Sequence, residues 1–257
     1  MRYIGIDLAW AEKGSTGLAV LDEDGRLLAN SLAISLDEIA AFILRNAGES
    51  CLVGIDAPLI VKNAGGHRPC EIELARRGIP AYPANRELLT RIHGSVRGEI
   101  LAERLAAEGF VVTDAHPVEL GEGRFVYEIY PWSILDYHSY DPETRTSLIP
   151  PYKKKPGVKV ADIRRGIREV RDLLGHLELP VVFDHSELVY PVGDSDIDGY
   201  RGQKLKAVAD LFDAILSAYA VYSVRLFGYA GGEVVGDLES GYILVPPNIR
   251  GLGGTNA

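Results

Sequence analysis

The strongest constraint on the fold is an apolar segment near the C-terminal end, KLKAVADLFDAILSAYAVYSVRLF, over residues 204–227. It is apolar on nearly every side, which is typical of a helix buried against a sheet. Lys206, Asp210, Asp213 and Arg225 interrupt it too often for a helix that spans a membrane. The segment therefore predicts the core helix of an α/β domain, and we expect no membrane association.

The polar residues inside this helix follow a regular spacing. Lys206, Asp210, Asp213 and Ser217 are separated by four, three and four positions. At about 100° per residue they share one narrow stripe. Two carboxylates on one stripe repel each other unless a cation lies between them. The alternative is a solvated helix face with a Lys206–Asp210 pair, and the spacing leaves both interpretations open.

Two short apolar runs, YIGIDLA and LVGIDAP, both reach an aspartate, Asp7 in the first and Asp56 in the second. A carboxylate at the tip of a buried strand is costly unless negative charge is needed there. Each aspartate could instead cap the turn after its strand. If the two strands are parallel neighbours, however, Asp7 and Asp56 lie side by side, and a helix crossing that edge brings Asp210 and Asp213 opposite them.

Such a cluster of carboxylate oxygens suits Mg²⁺ or Mn²⁺ better than zinc or copper. Two of these ions about 4 Å apart can clamp the attacking and leaving oxygens of a phosphodiester. The four aspartates therefore predict a divalent-metal site, and a fifth acid, Glu128, lies near the end of a predicted strand at 123–131.

The order of predicted elements gives the fold class. Strands at 2–9, at TGLAVLD and at RLLANSLAI form an antiparallel meander, with a hairpin turn at 22–25. Ser35 and Glu38 form a capping box that begins a helix, and the strand CLVGIDAP follows. This is an α/β order with a helical crossover into a parallel strand, and it is not the alternating order of a Rossmann fold.

Helices are also predicted over CEIELARRG, near 95–109 and over 159–176, with loops at 79–88, 132–157 and 180–201. We therefore expect a mixed five-stranded sheet flanked by helices in one domain, residues 1–245. Its inserted subregions are 60–122, after strand four, and 132–203, after strand five. Residues 246–257 are predicted to be a flexible tail.

Six motifs, GIDLA, GIDAPL, RPCE…RRG, YEIYP, YKKKPG…R and ADLFDA, together resemble domain-of-unknown-function family 429. Members of that family are described as predicted nucleases with a ribonuclease H-like fold. The order of strand-Asp, strand-acid and Asp-x-x-Asp on a late helix is also similar to bacterial Holliday-junction resolvases. The resemblance implies that Asp7, Asp56, Asp210 and Asp213 are catalytic metal ligands and that Glu128 is a further catalytic acid.

Substrate-binding candidates lie near these acids in the sequence. Arg68 and Glu71 directly follow the Asp56 strand and are predicted to line the mouth of the pocket, whereas a zinc site with His67 and Cys70 lacks a second ligand cluster. Glu128 could instead be a core acid paired with an arginine.

Most of the concentrated positive charge lies in the run Lys153, Lys154 and Lys155 and in the arginine-rich helix that follows. Such a run is either a solvated face or a set of phosphate contacts. Lys206, on the stripe of the last helix, is a further substrate-binding candidate.

The leading functional hypothesis is a Mg²⁺- or Mn²⁺-dependent nuclease, a hydrolase that acts on DNA or RNA. Alternatives are a nucleotide-dependent phosphotransferase of the actin-like or sugar-kinase class and a non-catalytic nucleic-acid-binding protein. A net charge of −9 argues against a non-specific nucleic-acid coat protein but not against a nuclease. Two cysteines and no recognisable secretory signal favour a cytoplasmic setting. The oligomeric state is left open.

Overall fold

The computed structural model describes residues 1–183 and 188–248. The strands are β1 (Arg2–Asp7), β2 (Thr16–Leu21), β3 (Leu27–Ala33), β4 (Cys51–Ile55), β5 (Val111–Val112), β6 (Arg124–Glu128), β7 (Tyr140–Asp141), β8 (Thr146–Ser147), β9 (Glu233–Asp237) and β10 (Gly241–Val245). The α-helices are α1 (Leu36–Asn46), α2 (Pro69–Arg76), α3 (Arg86–His93), α4 (Arg97–Ala107), α5 (Pro131–His138), α6 (Val160–Gly175), α7 (Asp194–Gly199) and α8 (Gly202–Phe227).

The core of the molecule is a six-stranded sheet in the order β3-β2-β1-β4-β6-β5. Strands β1, β2 and β3 form the predicted antiparallel meander, and β4 is parallel to β1. Strand β6 is parallel to β4, and β5 is parallel to β6. The mixed α/β class and the placement of the first four strands are therefore confirmed. The sheet has six strands rather than five because the two-residue strand β5 adds to its edge.

Local sequence signals account for the start of the chain. The side chain of Asp22 accepts hydrogen bonds from the backbone N–H groups of Asp24 and Arg26, which closes the β2–β3 hairpin turn. The Ser35 hydroxyl accepts from the Glu38 N–H, and the Glu38 carboxylate accepts from the Ser35 N–H, so the predicted capping box begins α1.

Helix α8 lies unusually close to the sheet because three adjacent strands present glycine beneath it. A Cβ added to Gly5 of β1 would lie 1.8 Å from the backbone oxygen of Ala214. At Gly17 of β2 the same atom would lie 2.4 Å from the oxygen of Asp210, and at Gly54 of β4 it would lie 2.5 Å from that of Ser217. The helix therefore rests on bare strand backbone, which fixes its position across β2, β1 and β4.

Two apolar layers enclose the sheet. On one face, α8 packs against Tyr3 and Tyr127. On the other, α1 and α4 pack against Ile4 and Val53. Within the described part of the chain, α8 is the helix that is long and apolar enough to cross a membrane, and all of that apolar stretch is buried inside the fold. Its burial is that of a core helix, as the sequence predicts.

The inserted subregions are more helical than the sequence analysis predicts. Helices α3 and α7 begin within segments predicted as loop, and α5 begins at Pro131, the last residue of the predicted strand 123–131, and continues into the predicted loop. The β9–β10 hairpin also lacks a sequence prediction, and it packs beside α2 and bridges to the central sheet through Ile129 and Leu244. Of the predicted tail, residues 246–248 follow β10 without regular structure, and 249–257 lie outside the described residues.

Candidate active site

Two aspartates meet at one edge of the central sheet. Asp7 is the last residue of β1, and Asp56 immediately follows β4. Ile6 pairs with Ile55 across the parallel strands, and the Asp56 N–H donates to the Ile6 carbonyl at 2.8 Å. The carboxyl ends of parallel neighbours share one edge, so the two half-buried side chains are brought together as predicted.

Helix α8 adds a third carboxylate to this pair. One oxygen each of Asp7, Asp56 and Asp213 lies within 4.8 Å of the others. Asp213 is only 4% exposed, and its place above the strand ends follows from the glycine contacts that seat α8. The cluster therefore combines two strand ends with one residue of a rigid helix.

Asp210 lies outside this group of three. Its Oδ2 accepts a hydrogen bond from Lys206 Nζ at 2.6 Å, along one turn of α8. The predicted set of four metal ligands is thus reduced to three that converge, and the Lys206–Asp210 pair that the helical spacing also allowed is present. Most of the Lys206 side chain remains exposed to solvent.

Two residues of the second inserted subregion contact Asp213. The Tyr152 hydroxyl donates to Asp213 Oδ1 at 2.5 Å, and Lys153 Nζ forms an ion pair with Oδ2. Lys153 therefore contacts the carboxylate cluster directly, and this contact distinguishes it from Lys154 and Lys155.

The cluster holds carboxyl groups whose ionisation is disfavoured. Burial raises the pKa of Asp7 to about 6; Lys153 opposes this rise and the Asp210 carboxylate adds to it. Burial also raises the pKa of Asp56 well above its ordinary value, and the nearby Asp7 raises it further. Desolvated like charges of this kind gain stability from a cation.

Glu128 belongs to a different arrangement. Glu128 pairs in register with Ile55, the residue before Asp56. Because successive strand residues point to opposite faces of a sheet, Glu128 and Asp56 point to opposite faces. Arg68 donates to both of its carboxylate oxygens, at 2.9 and 2.5 Å, and the Leu59 N–H donates to Oε2 at 2.9 Å. The structure does not bring Glu128 into the cluster of Asp7, Asp56 and Asp213. Glu128 is instead a buried acid paired with an arginine, the alternative that the sequence left open.

Arg68 and Glu71 complete this buried network. Arg68 Nε donates to Glu71 Oε1 at 2.7 Å, and both residues are 1% exposed. Burial raises the pKa of Glu128, and the Arg68 guanidinium opposes that rise. The three side chains neutralise much of one another's charge and form one wall of the pocket described next.

A pocket of about 820 Å³ opens beside the carboxylates. Asp56, Asp213, Lys153 and Lys155 line it, whereas Lys154 is exposed and does not belong to the lining. The remaining lining is largely apolar and aromatic and comes from both inserted subregions, from the residues that follow β1 and β4, from the end of β6 and from β10. Its members are Trp10, Ala57, Pro58, Arg68, Glu71, Pro80, Ala81, Tyr82, Glu128, Ile129, Tyr130, Trp132, Ile149, Pro150, Pro151, Tyr152 and Ile243.

Comparison with known protein families extends over nearly the whole chain. The model of a family described as a protein of unknown function, DUF429, matches residues 5–234. The chain belongs to DUF429. The match runs from Gly5 of β1 into β9 and so includes the three clustered aspartates and most of the pocket. No curated protein and no solved structure matches the chain.

Three of the four arginines of α6 in this DUF429 chain form ion pairs with acids, and the fourth, Arg164, donates to the Tyr200 carbonyl. Arg168 and Arg171 of α6 form ion pairs with Asp194, and Arg168 also pairs with Asp198. Arg165 pairs with Asp162 and Glu169 on its own helix. The cations that line the pocket are Lys153, Lys155 and Arg68, and the charge of Arg68 is paired with Glu71 and Glu128.

Several residues of this candidate site could not be predicted from the sequence. Tyr152 and the aromatic residues of the pocket lie in loops or at helix starts, where no periodic pattern marks a function. The signal available for Tyr152 was its position directly before the lysine run.

Proposed function

We propose that this protein is a divalent-metal-dependent nuclease that hydrolyses phosphodiester bonds, with Asp7, Asp56 and Asp213 as the metal ligands. The observation that carries the proposal is the convergence of these three carboxylates from two strand ends and a buried helix. The proposed substrate is nucleic acid, DNA or RNA.

The donor set fits a hard cation. All three groups offer oxygen, the ligand atom that Mg²⁺ and Mn²⁺ prefer, and partial burial of the like charges favours a cation among them. In such a site a bound ion polarises a phosphoryl oxygen and activates water. Lys153 supplies positive charge at Asp213 in the structure, and a bound cation would compete with that ion pair.

Residues around the three aspartates have separate roles in this proposal. Tyr152 holds Asp213 in one orientation through its hydrogen bond to Oδ1. Lys153 and Lys155 line the pocket, and in this proposal they bind phosphate oxygens of the substrate. Asp210 remains paired with Lys206 and contributes negative charge near Asp7.

The order of the central sheet favours a ribonuclease H-like fold as the finer description. An antiparallel meander leads through a helix into parallel strands, and a late helix carries an acid back to the ends of β1 and β4. An actin-like phosphotransferase needs a second large sheet, and the other sheets in residues 1–183 and 188–248 have two strands each.

The test is hydrolysis of labelled single-stranded and duplex oligonucleotides with Mg²⁺, with Mn²⁺ or with EDTA. We expect cleavage by the parent protein that EDTA abolishes, and a loss of at least about 100-fold in Asp56→Asn, because a metal ligand is removed. Asp24→Asn, in the exposed β2–β3 turn, is the matched control. Equal activity in the parent and Asp56→Asn, or activity that persists in EDTA, would overturn the proposal.

A further inference from the structure

We propose that the pocket beside the carboxylates binds an unpaired nucleobase by stacking, so that the substrate is single-stranded nucleic acid or an unpaired end rather than intact duplex. This inference rests on the proposed function and adds to it the form of the substrate.

Aromatic side chains are concentrated in this pocket. Trp10, Tyr82, Tyr130 and Trp132 all line it. The rings of Tyr130 and Trp132 stack with their centroids 6.0 Å apart and their planes 30° apart. Successive aromatic faces along a cleft are the usual means by which proteins bind unpaired bases without sequence preference.

The position of Tyr82 supports a ligand-binding role. The residue is 78% exposed although it lines the pocket, so a large aromatic surface faces solvent at the rim. Its loop is held to another residue of the lining, because the Tyr130 hydroxyl donates to the Pro80 carbonyl at 2.7 Å. An exposed aromatic ring on an anchored loop is available to stack on a base that enters the pocket.

The aromatic residues and the carboxylates share a single pocket. Asp56 and Asp213 line one part of it and the aromatic side chains another. Its volume of about 820 Å³ falls within the range of about 300–1,000 Å³ that is typical of small-ligand pockets. A base reaches a pocket of this kind only after it has left the duplex stack.

The charge distribution agrees with stacking as the main source of affinity. The chain carries a net charge of −9, and Arg165, Arg168 and Arg171 of α6 are paired with acids. Lys153 and Lys155 are the lysines that line the pocket. A short positive rim beside an aromatic surface suits a flexible single strand better than a duplex, which is bound mainly through many phosphate contacts.

The experiment measures binding and cleavage with the same strands. Fluorescence anisotropy is recorded with a short fluorescein-labelled oligothymidylate and with a blunt duplex of the same length, with Ca²⁺ in place of Mg²⁺. We expect Tyr82→Ala to weaken binding of the single strand about tenfold, while Tyr82→Phe, which keeps the ring, stays within about twofold of the parent. Tyr229→Ala is the matched control, because Tyr229 is a 63% exposed aromatic residue outside the pocket lining.

The outcomes separate this inference from the proposed function. Equal affinity of the parent for single strand and duplex, or unchanged single-strand affinity in Tyr82→Ala, would overturn the base pocket even if Mg²⁺-dependent cleavage is found. Single-strand binding that depends on the Tyr82 ring, without cleavage in Mg²⁺ or Mn²⁺, would support the base pocket and overturn the nuclease proposal. A loss in Tyr229→Ala as large as that in Tyr82→Ala would also count against the pocket, because it would place the binding surface elsewhere.

Discussion

At the scale of single residues, the fold holds acidic side chains close together although they repel one another when ionised. Asp7 and Asp56 are carboxyl groups that burial and mutual repulsion hold partly away from ionisation. Lys153 and Tyr152 partly offset this repulsion, because both bind the Asp213 carboxylate. Residues that cost folding stability yet converge on one point are typical of functional sites.

The pKa of Asp7 gives a stability prediction. Its folded pKa of about 6 exceeds the ordinary value of 3.8, so the folded state binds this proton more tightly than the unfolded chain. The stability that protonated Asp7 contributes to the folded state is present below about pH 4 and is lost as the pH rises through about 6. Asp7→Asn has no such titrating group and does not lose this stability. We therefore expect its free energy of unfolding, relative to that of the parent, to rise by up to about 3 kcal/mol from pH 4 to pH 6, at about 1.4 kcal/mol per pKa unit.

Urea unfolding of the metal-free proteins at several pH values measures this difference. Titrating groups far from the site cancel between variant and parent, and Asp56, whose pKa Asp7 raises, adds to the difference in the same direction. Asp24→Asn, in an exposed turn, should show no such trend. A stability difference between Asp7→Asn and the parent that is the same at pH 4 and pH 7 would show that the Asp7 pKa is not raised.

At the scale of elements, the position of α8 decides whether the site exists. Gly5, Gly17 and Gly54 let the helix backbone contact three strands directly, and that contact sets where Asp213 lies. The sequence predicts the helix and its acidic stripe from periodicity, and it predicts the adjacency of Asp7 and Asp56 from two similar strands. Periodicity does not show that Asp213 faces the strand ends while Asp210 pairs with Lys206, because both residues lie on one stripe.

We predict that Gly5→Ala disrupts both the fold and the site. The new methyl group would lie 1.8 Å from the Ala214 carbonyl oxygen, and neither β1 nor α8 can yield without loss of its own hydrogen bonds. The expected loss exceeds about 3 kcal/mol, at or beyond the upper end of typical overpacking. Gly121→Ala, where an added Cβ meets nothing within 4 Å, should stay within about 0.5 kcal/mol of the parent. Similar urea midpoints for the two variants would mean that α8 does not rest on Gly5.

At the scale of the whole molecule, the two inserted subregions converge over the ends of β1 and β4 and form the pocket together. The first contributes Tyr82 and Arg68, and the second contributes Tyr152 and Lys153. These contacts join residues distant in sequence, such as Tyr152 and Asp213, which are 61 positions apart. Sequence patterns report periodicity within an element, so the pocket wall and the Arg68–Glu128 pairing could not be predicted as definite contacts.

The distribution of positive charge gives a prediction for two adjacent lysines. Lys155 lines the pocket and Lys154 does not, although both are exposed. If Lys155 contacts a phosphate, Lys155→Ala should reduce the log–log salt dependence of single-strand binding by about 0.7. Lys154→Ala is the matched control and should leave the slope unchanged. Equal slopes in the parent and both variants would assign the lysine run to a solvated face.

The central claim is that Asp7, Asp56 and Asp213 hold a divalent cation. The most direct measurement is the anomalous difference map of a crystal soaked in millimolar Mn²⁺. We predict a peak bounded by these three carboxylates, with Lys153 displaced from Asp213. A well-ordered cluster without a peak, in which Lys153 still forms its ion pair with Asp213, would contradict the claim.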